Sequence, residues 1–121
     1  MGKETKSVLI IDDDKDISET FARILQRNGY LTDSADNGME ALRKADAKFY
    51  NVALIDVCLP DMNGTELLEN LNAHGGRMVK IIITGFPTMA PKNGIEADAY
   101  LLKPVKPQEL LSIMSKNLNG N

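Results

Sequence analysis

Four short apolar runs punctuate the chain, and each ends abruptly on a polar side chain. Val8-Leu9-Ile10-Ile11 stops at Asp12-Asp13-Asp14, Val52-Ala53-Leu54-Ile55 at Asp56, Ile81-Ile82-Ile83 at Thr84, and Tyr100-Leu101-Leu102 at Lys103. Unbroken, mostly β-branched runs of this length read as strands buried on both faces, as in a parallel sheet covered by helices. Tyr30 to Ala35 is a fifth candidate; polar residues interrupt it, which suits a sheet edge.

Between the runs the apolar period lengthens to that of a helix. Asp16 and Glu19 have capping-box spacing, with Ile17, Phe21, Ile24 and Leu25 on one face and Asn28-Gly29 as the stop. Asn37-Gly38 opens a second helix with Met39, Leu42 and Ala45 inward, and Asn63, three residues before Glu66, opens a third with the stripe Leu67, Leu68 and Leu71. Pro107 suits a first helical position, and the last helix turns Leu110, Leu111, Met114 and Leu118 inward. Alternation of strand and helix predicts a parallel sheet with right-handed crossovers and helices on both faces. Residues 85–98 depart from the pattern: Gly85, Pro87, Pro91 and Gly94 restrict any helix there to one or two turns.

Composition narrows the class. The 121 residues make one domain, and 43% hydrophobic residues supply its core. Fourteen basic against 17 acidic residues leave a net charge of −3, with the basic ones scattered. A nucleic-acid or anionic-membrane surface needs them concentrated, so neither partner is expected. No apolar run approaches the roughly 20 residues of a membrane span. Cys58, the single cysteine, has no disulfide partner in the chain, and one His with one Cys excludes an ordinary structural zinc site. The polar start, Met1 to Ser7, has no secretory apolar segment, and a cytoplasmic domain is the expectation.

The chemistry gathers where the runs end. In a parallel sheet the C-terminal ends of all strands share one edge, and ligands bind outside that edge where the strand order reverses. If the first and third runs are neighbours, about 4.8 Å apart, Asp12, Asp13 and Asp56 share a crevice. Two carboxylates about 4 Å apart repel by roughly 4 kcal/mol at an effective dielectric of 20. Such a cluster calls for a cation, and an all-oxygen site with few ligands favours Mg²⁺. With the Lys103 ammonium and the Thr84 hydroxyl, the set suits the charges and oxygens of a phosphoryl group. Read alone, each residue has a plainer account. Asp12 to Asp16 is an acidic helix entry, Lys103 a surface lysine, Thr84 a strand-ending threonine, and Tyr100 a core tyrosine with its hydroxyl outward.

Ile11-Asp12-Asp13-Asp14, the segment Leu54-Ile55-Asp56-Val57-Cys58-Leu59-Pro60-Asp61-Met62-Asn63-Gly64, Thr84-Gly85 and Tyr100-Leu101-Leu102-Lys103-Pro104 together resemble the receiver domain of two-component response regulators. The resemblance runs from Val8 to about Leu118, and it is carried by four motifs in order on the expected strand ends. It implies a flavodoxin-like, doubly wound α/β fold with five parallel strands in order 2-1-3-4-5, helices on both faces, and a single domain over residues 1–121 (core about 7–118). It also implies roles. Asp56 would be the phosphoacceptor; Asp12, Asp13, Asp56 and the backbone carbonyl of Cys58 would hold Mg²⁺. Thr84 and Lys103 would bind phosphoryl oxygens, and Thr84 with Tyr100 would form the conformational switch. The Lys103-Pro104 peptide would be cis.

The function implied is signalling. A histidine kinase or phosphotransfer protein would donate a phosphoryl group to Asp56, and the switched domain would control a downstream protein or an output domain. Only self-catalysed transfer and dephosphorylation would make it resemble an enzyme. Alternatives are a Mg²⁺-dependent phosphohydrolase using the same acids, a flavodoxin-like cofactor binder, and a receiver that is never phosphorylated. The chain would act either alone on a separate protein or as part of a longer one. From Thr84 to Lys103 is 19 positions, about three fewer than is usual in the family. The shortening predicts that Phe86 to Asp98 is mostly loop, with the family's fourth helix short or absent and symmetric dimerisation through that face weak. Cys58 and Phe86 stand where receivers tune water access to the phosphoryl group, and a large apolar Phe86 would lengthen the phosphorylated lifetime.

Overall fold

Burial on both faces is what makes the apolar runs strands, and three of them form the middle of the sheet. The computed structural model describes residues 5–73, 77–85 and 97–118. In chain order the elements are β1 (Ser7–Ile11), α1 (Lys15–Arg27), β2 (Leu31–Ala35), α2 (Gly38–Ala47), β3 (Val52–Asp56), α3 (Gly64–Ala73), β4 (Val79–Thr84), β5 (Ala99–Leu102) and α4 (Pro107–Leu118). All pairings are parallel, and the strand order is β2-β1-β3-β4-β5, as expected. The expectations for Phe86 and the rest of 86–96, and any helix there, lie outside the described residues.

Strand alternation divides the core in two. Leu9, Ile11, Ala53, Ile55 and Ile82 face α2 and α3, meeting Ala41, Leu67, Leu68 and Leu71. Val8, Ile10, Val52, Leu54, Ile81 and Ile83 face α1 and α4, meeting Phe21, Leu25, Leu110 and Met114. Successive side chains of a strand point to opposite faces, so one apolar run feeds both layers. Each fully buried Leu or Ile contributes about 1.5–3 kcal/mol. The free edge of β2 is covered by Lys44, whose ammonium donates to the Ser34 carbonyl at 2.6 Å.

Three local expectations are corrected. The cap of α1 is Asp14, whose carboxylate accepts from the amides of Asp16 and Ile17; Asp16 lies inside the first turn. Met39 is 63% exposed, and Ala41 takes the inward position, with Leu42 and Ala45 packed beside it. At 100° per residue the line through 38, 41, 42 and 45 turns position 39 away from the sheet. The last strand is not buried on both faces. As the edge of the sheet it alternates, with Tyr100 and Leu102 exposed. The capping box of α3 is present, with the Asn63 carboxamide accepting from the Glu66 amide at 2.8 Å.

Candidate functional site

The sheet ends carry the acids to one place. Asp12 follows the last residue of β1 and is tied to the neighbouring strand by its amide, which donates to the Ala35 carbonyl at 3.1 Å. Its Oδ1 accepts the Asp14 amide at 2.9 Å, closing the turn into α1 and fixing the carboxylate. Asp56 is the last residue of β3, next to β1. Asp12 is 4% and Asp56 7% exposed, while Asp13 faces solvent. One carboxylate oxygen from each of Asp12, Asp13 and Asp56 lies within 4.8 Å of the others. The three residues converge as expected.

Lys103 arrives from β5. Its amide donates to the Thr84 carbonyl at 2.8 Å, and the Lys103-Pro104 peptide is cis. The ammonium lies 3.3 Å from Asp56 Oδ1 and 3.7 Å from Asp12 Oδ2, so one cation sits between the two buried acids. One lysine against three carboxylates leaves the site two charges negative. Burial, then the Asp56 charge, pushes the Asp12 carboxyl above the ordinary range, against the opposing pull of the Asp14 amide and Lys103. Thr84, the last residue of β4, is buried beside this group. Tyr100 is 41% exposed, its hydroxyl accepting from the Ala97 amide at 3.2 Å. A recess of about 530 Å³ opens between Asp16, Ile17, Thr20 and Phe21 of α1 and the Lys103–Val105 turn.

The segment after Asp56 is pinned tightly. Cys58, exposed, bridges to Asn63, and the Gly64 amide donates to the Val57 carbonyl at 2.8 Å. Only glycine fits at 64, because a Cβ would stand 2.8 Å from Val57 Cα. Sequence reasoning missed Asp61, whose carboxylate takes the amides of Gly38 and Met39 at 2.8 and 2.9 Å. These bonds hold its pKa below the usual carboxylate range. No local period links positions so far apart; the pairing follows only once β1 and β3 are neighbours.

Carboxylates, an ammonium and a buried hydroxyl residue at the switch point suit phosphoryl chemistry. The family model of the response regulator receiver domain matches residues 8–115. The chain belongs to this family. Among curated relatives, the probable transcriptional regulatory protein SilR of Salmonella typhimurium is 33% identical over 108 residues, 87% of this chain and 47% of that protein. The DNA-binding response regulator MtrA of Mycobacterium tuberculosis is 30% identical, covering 100% of this chain and 54% of its own. The receiver therefore spans about half the length of the curated relatives it matches. Among solved structures, a CheY-like receiver domain protein from Methanospirillum hungatei superposes with a TM-score of 0.89 at 38% identity, over 96% of this chain and 95% of that one. A CheY-like receiver from Methylobacillus flagellatus gives 0.88 at 28%, over 94% and 99%. The chain is thus the receiver domain of a two-component response regulator. No helix among the described residues is long and apolar enough to cross a membrane.

Proposed function

We propose that this receiver accepts a phosphoryl group on Asp56 in a Mg²⁺-dependent reaction and that the change controls a partner. The observation that carries the reading is the convergence of Asp12, Asp13 and Asp56 within 4.8 Å, with the Lys103 ammonium 3.3 Å from Asp56. The donor set fits Mg²⁺: it is all oxygen, hard and net negative, and Asp12, Asp13, Asp56 and the Cys58 carbonyl would hold the ion. When bound, the ion supplies charge neutralisation for the transferring phosphoryl oxygens.

This chain's own residues do the rest. Asp56 presents a carboxylate oxygen that attacks phosphorus, forming an O–P bond as the P–N bond of a donor phosphohistidine breaks and the imidazole leaves with its electron pair. Lys103 pairs with Asp56 and would follow the charge onto a phosphoryl oxygen. Thr84 would donate its hydroxyl to another oxygen. The recess between α1 and the Lys103–Val105 turn shares Lys103 with the site and would receive part of the donor protein. Tyr100 stands outward in the described state; its inward turn, following Thr84, would be the switch, a shift between preexisting populations. The 1–121 chain would act as one cytoplasmic domain, with a histidine kinase or phosphotransfer protein upstream and a protein target or output domain downstream. It would bind no nucleic acid or membrane itself.

The test is incubation with acetyl phosphate and Mg²⁺ followed by intact mass. One added phosphoryl group is expected, absent in Asp56→Ala and without Mg²⁺. Steady turnover of a phosphate ester, abolished by Asp13→Ala, would instead establish a hydrolase. No adduct from acetyl phosphate or a phosphorylated kinase would establish an unphosphorylated module.

A further inference from the structure

The N-terminus of α2 is occupied by the loop that follows Asp56. The bond from the Ala41 amide to the Asn37 carbonyl begins the regular ladder, leaving the amides of Gly38, Met39 and Glu40 to find partners elsewhere. Asn37 supplies the local cap, its Oδ1 accepting from Glu40 at 2.8 Å. The other two amides donate to Asp61, Gly38 to Oδ1 at 2.8 Å and Met39 to Oδ2 at 2.9 Å. A carboxylate on the positive end of a helix dipole makes strong, charge-assisted bonds. Met62 lies beside them over Gly38, where a Cβ would stand 2.5 Å from Met62 Cγ and Sδ; the glycine admits that side chain. At its base the loop is held by the Cys58–Asn63 bridge. Its tip is therefore seated on α2 and its two ends are pinned to each other.

We propose that Asp61 is a positioning residue for metal binding, seating the 57–63 loop on α2 and so fixing the Cys58 backbone two residues from Asp56. The inference rests on the Mg²⁺ reading above. Two features separate it from an ordinary helix cap. A local cap, Asn37, already serves the same helix turn. And residues 61 and 62 both engage α2, so the contact immobilises the loop as well as completing the helix. Holding the loop before the ion arrives removes its freedom in advance, which is how outer groups raise metal affinity.

The experiment is calorimetric titration of Mg²⁺ into the wild-type chain, Asp61→Ala and Asn37→Ala, with amide hydrogen exchange on each. Asp61→Ala is expected to weaken Mg²⁺ binding about tenfold and to speed exchange at Gly38 and Met39. Asn37→Ala removes a cap of the same helix and is expected to lower the melting temperature while holding Mg²⁺ affinity within about twofold of wild type. If Asp61→Ala fails to fold, Asp61→Asn, which keeps one acceptor, is titrated in its place and an intermediate weakening is expected. Wild-type affinity in the Asp61 variants, or equal weakening by Asn37→Ala, overturns the inference and leaves the Mg²⁺ site standing. If the wild-type chain shows no saturable Mg²⁺ binding, or binding unchanged by Asp13→Asn, the reading of the site falls and the inference falls with it.

Discussion

Replacing Asp56 by Asn probes the electrostatics of the site through stability alone. Oxygens of Asp12, Asp13 and Asp56 lie within 4.8 Å of one another. At the outer limit of that separation, and an effective dielectric of 20, each like-charge pair costs about 3.5 kcal/mol. The Lys103 ammonium, 3.3 Å from Asp56, returns about 5 kcal/mol on the same scale. Asp56→Asn removes two repulsions and one attraction, a net stabilisation of about 2 kcal/mol that falls to about 0.5 at the dielectric of water. Lys103 keeps its second partner, Asp12, 3.7 Å away. For a chain of 121 residues, 1 kcal/mol corresponds to about 4 °C, so the variant should melt roughly 2–8 °C higher in chelator-treated buffer. Mg²⁺ at about a hundredfold excess over its Kd adds about 2.7 kcal/mol to the wild-type chain and far less to the variant, which reverses the order. Thermal melts of both proteins with chelator and with Mg²⁺ give the answer. A variant that melts below wild type without metal, or equal stabilisation of both by Mg²⁺, would refute the reasoning.

Three further substitutions test other parts of the structure. Tyr50 is buried and donates its hydroxyl to Asp33 Oδ2 at 2.6 Å; burial and that bond push its pKa up to about 12. A raised pKa contributes stability that is complete below the unfolded value near 10 and lost as pH climbs toward 12. The advantage of wild type over Tyr50→Phe in urea unfolding should therefore shrink by about 2 kcal/mol across that window, and a constant gap would contradict it. Gly64→Ala puts a Cβ 2.8 Å from Val57 Cα and 3.2 Å from the Asp56 carbonyl oxygen. It should lower stability by about 1–3 kcal/mol and slow adduct formation at Asp56 in the mass assay; an unchanged urea midpoint would show that the loop yields. Leu110→Ala, in the core of the α1–α4 layer, should cost about 2–5 kcal/mol while leaving Mg²⁺ affinity unchanged by calorimetry, because the layer lies away from the acids.

What was legible in the sequence follows from what each residue is asked to do. β1, β3 and β4 were readable because burial on both faces demands an unbroken apolar run, and few other structures do. The site was readable for a related reason: Asp12, Asp56, Thr84 and Lys103 each interrupt such a run, and parallel strands bring all their C-terminal ends to one edge. The cap of α1 was misplaced because Asp14 and Asp16 are equally good caps by type; where β1 ends, and the Asp12 bond to the Asp14 amide, decide between them. Tyr100 and Leu102 are as apolar as an inner strand requires, yet β5 lies at the edge, and strand order is not written in composition. Asp61 was invisible for a stronger reason. Its partners lie 22 and 23 positions away and are backbone amides, which carry no residue-type signal.

The same constraints explain why so costly a charge cluster persists. Three carboxylates on a mobile loop would turn outward and shed their repulsion in water. Here Asp12 and Asp56 end neighbouring central strands whose preceding residues, Ile11 and Ile55, are packed in the core. The Asp14 amide clamps one Asp12 oxygen and Lys103 spans the other to Asp56. Relaxation would have to break strand pairing or expose core, at several kcal/mol per buried residue. The repulsion between Asp12 and Asp56 is therefore held in place by the apolar layers on either side of the sheet. Under the proposed function, that rigidity makes the site responsive. A cation or a transferred phosphoryl group would change the charge beside two strand ends that cannot adjust locally, so the response would pass to the neighbouring strands, where Thr84 ends β4 and Tyr100 lies within β5.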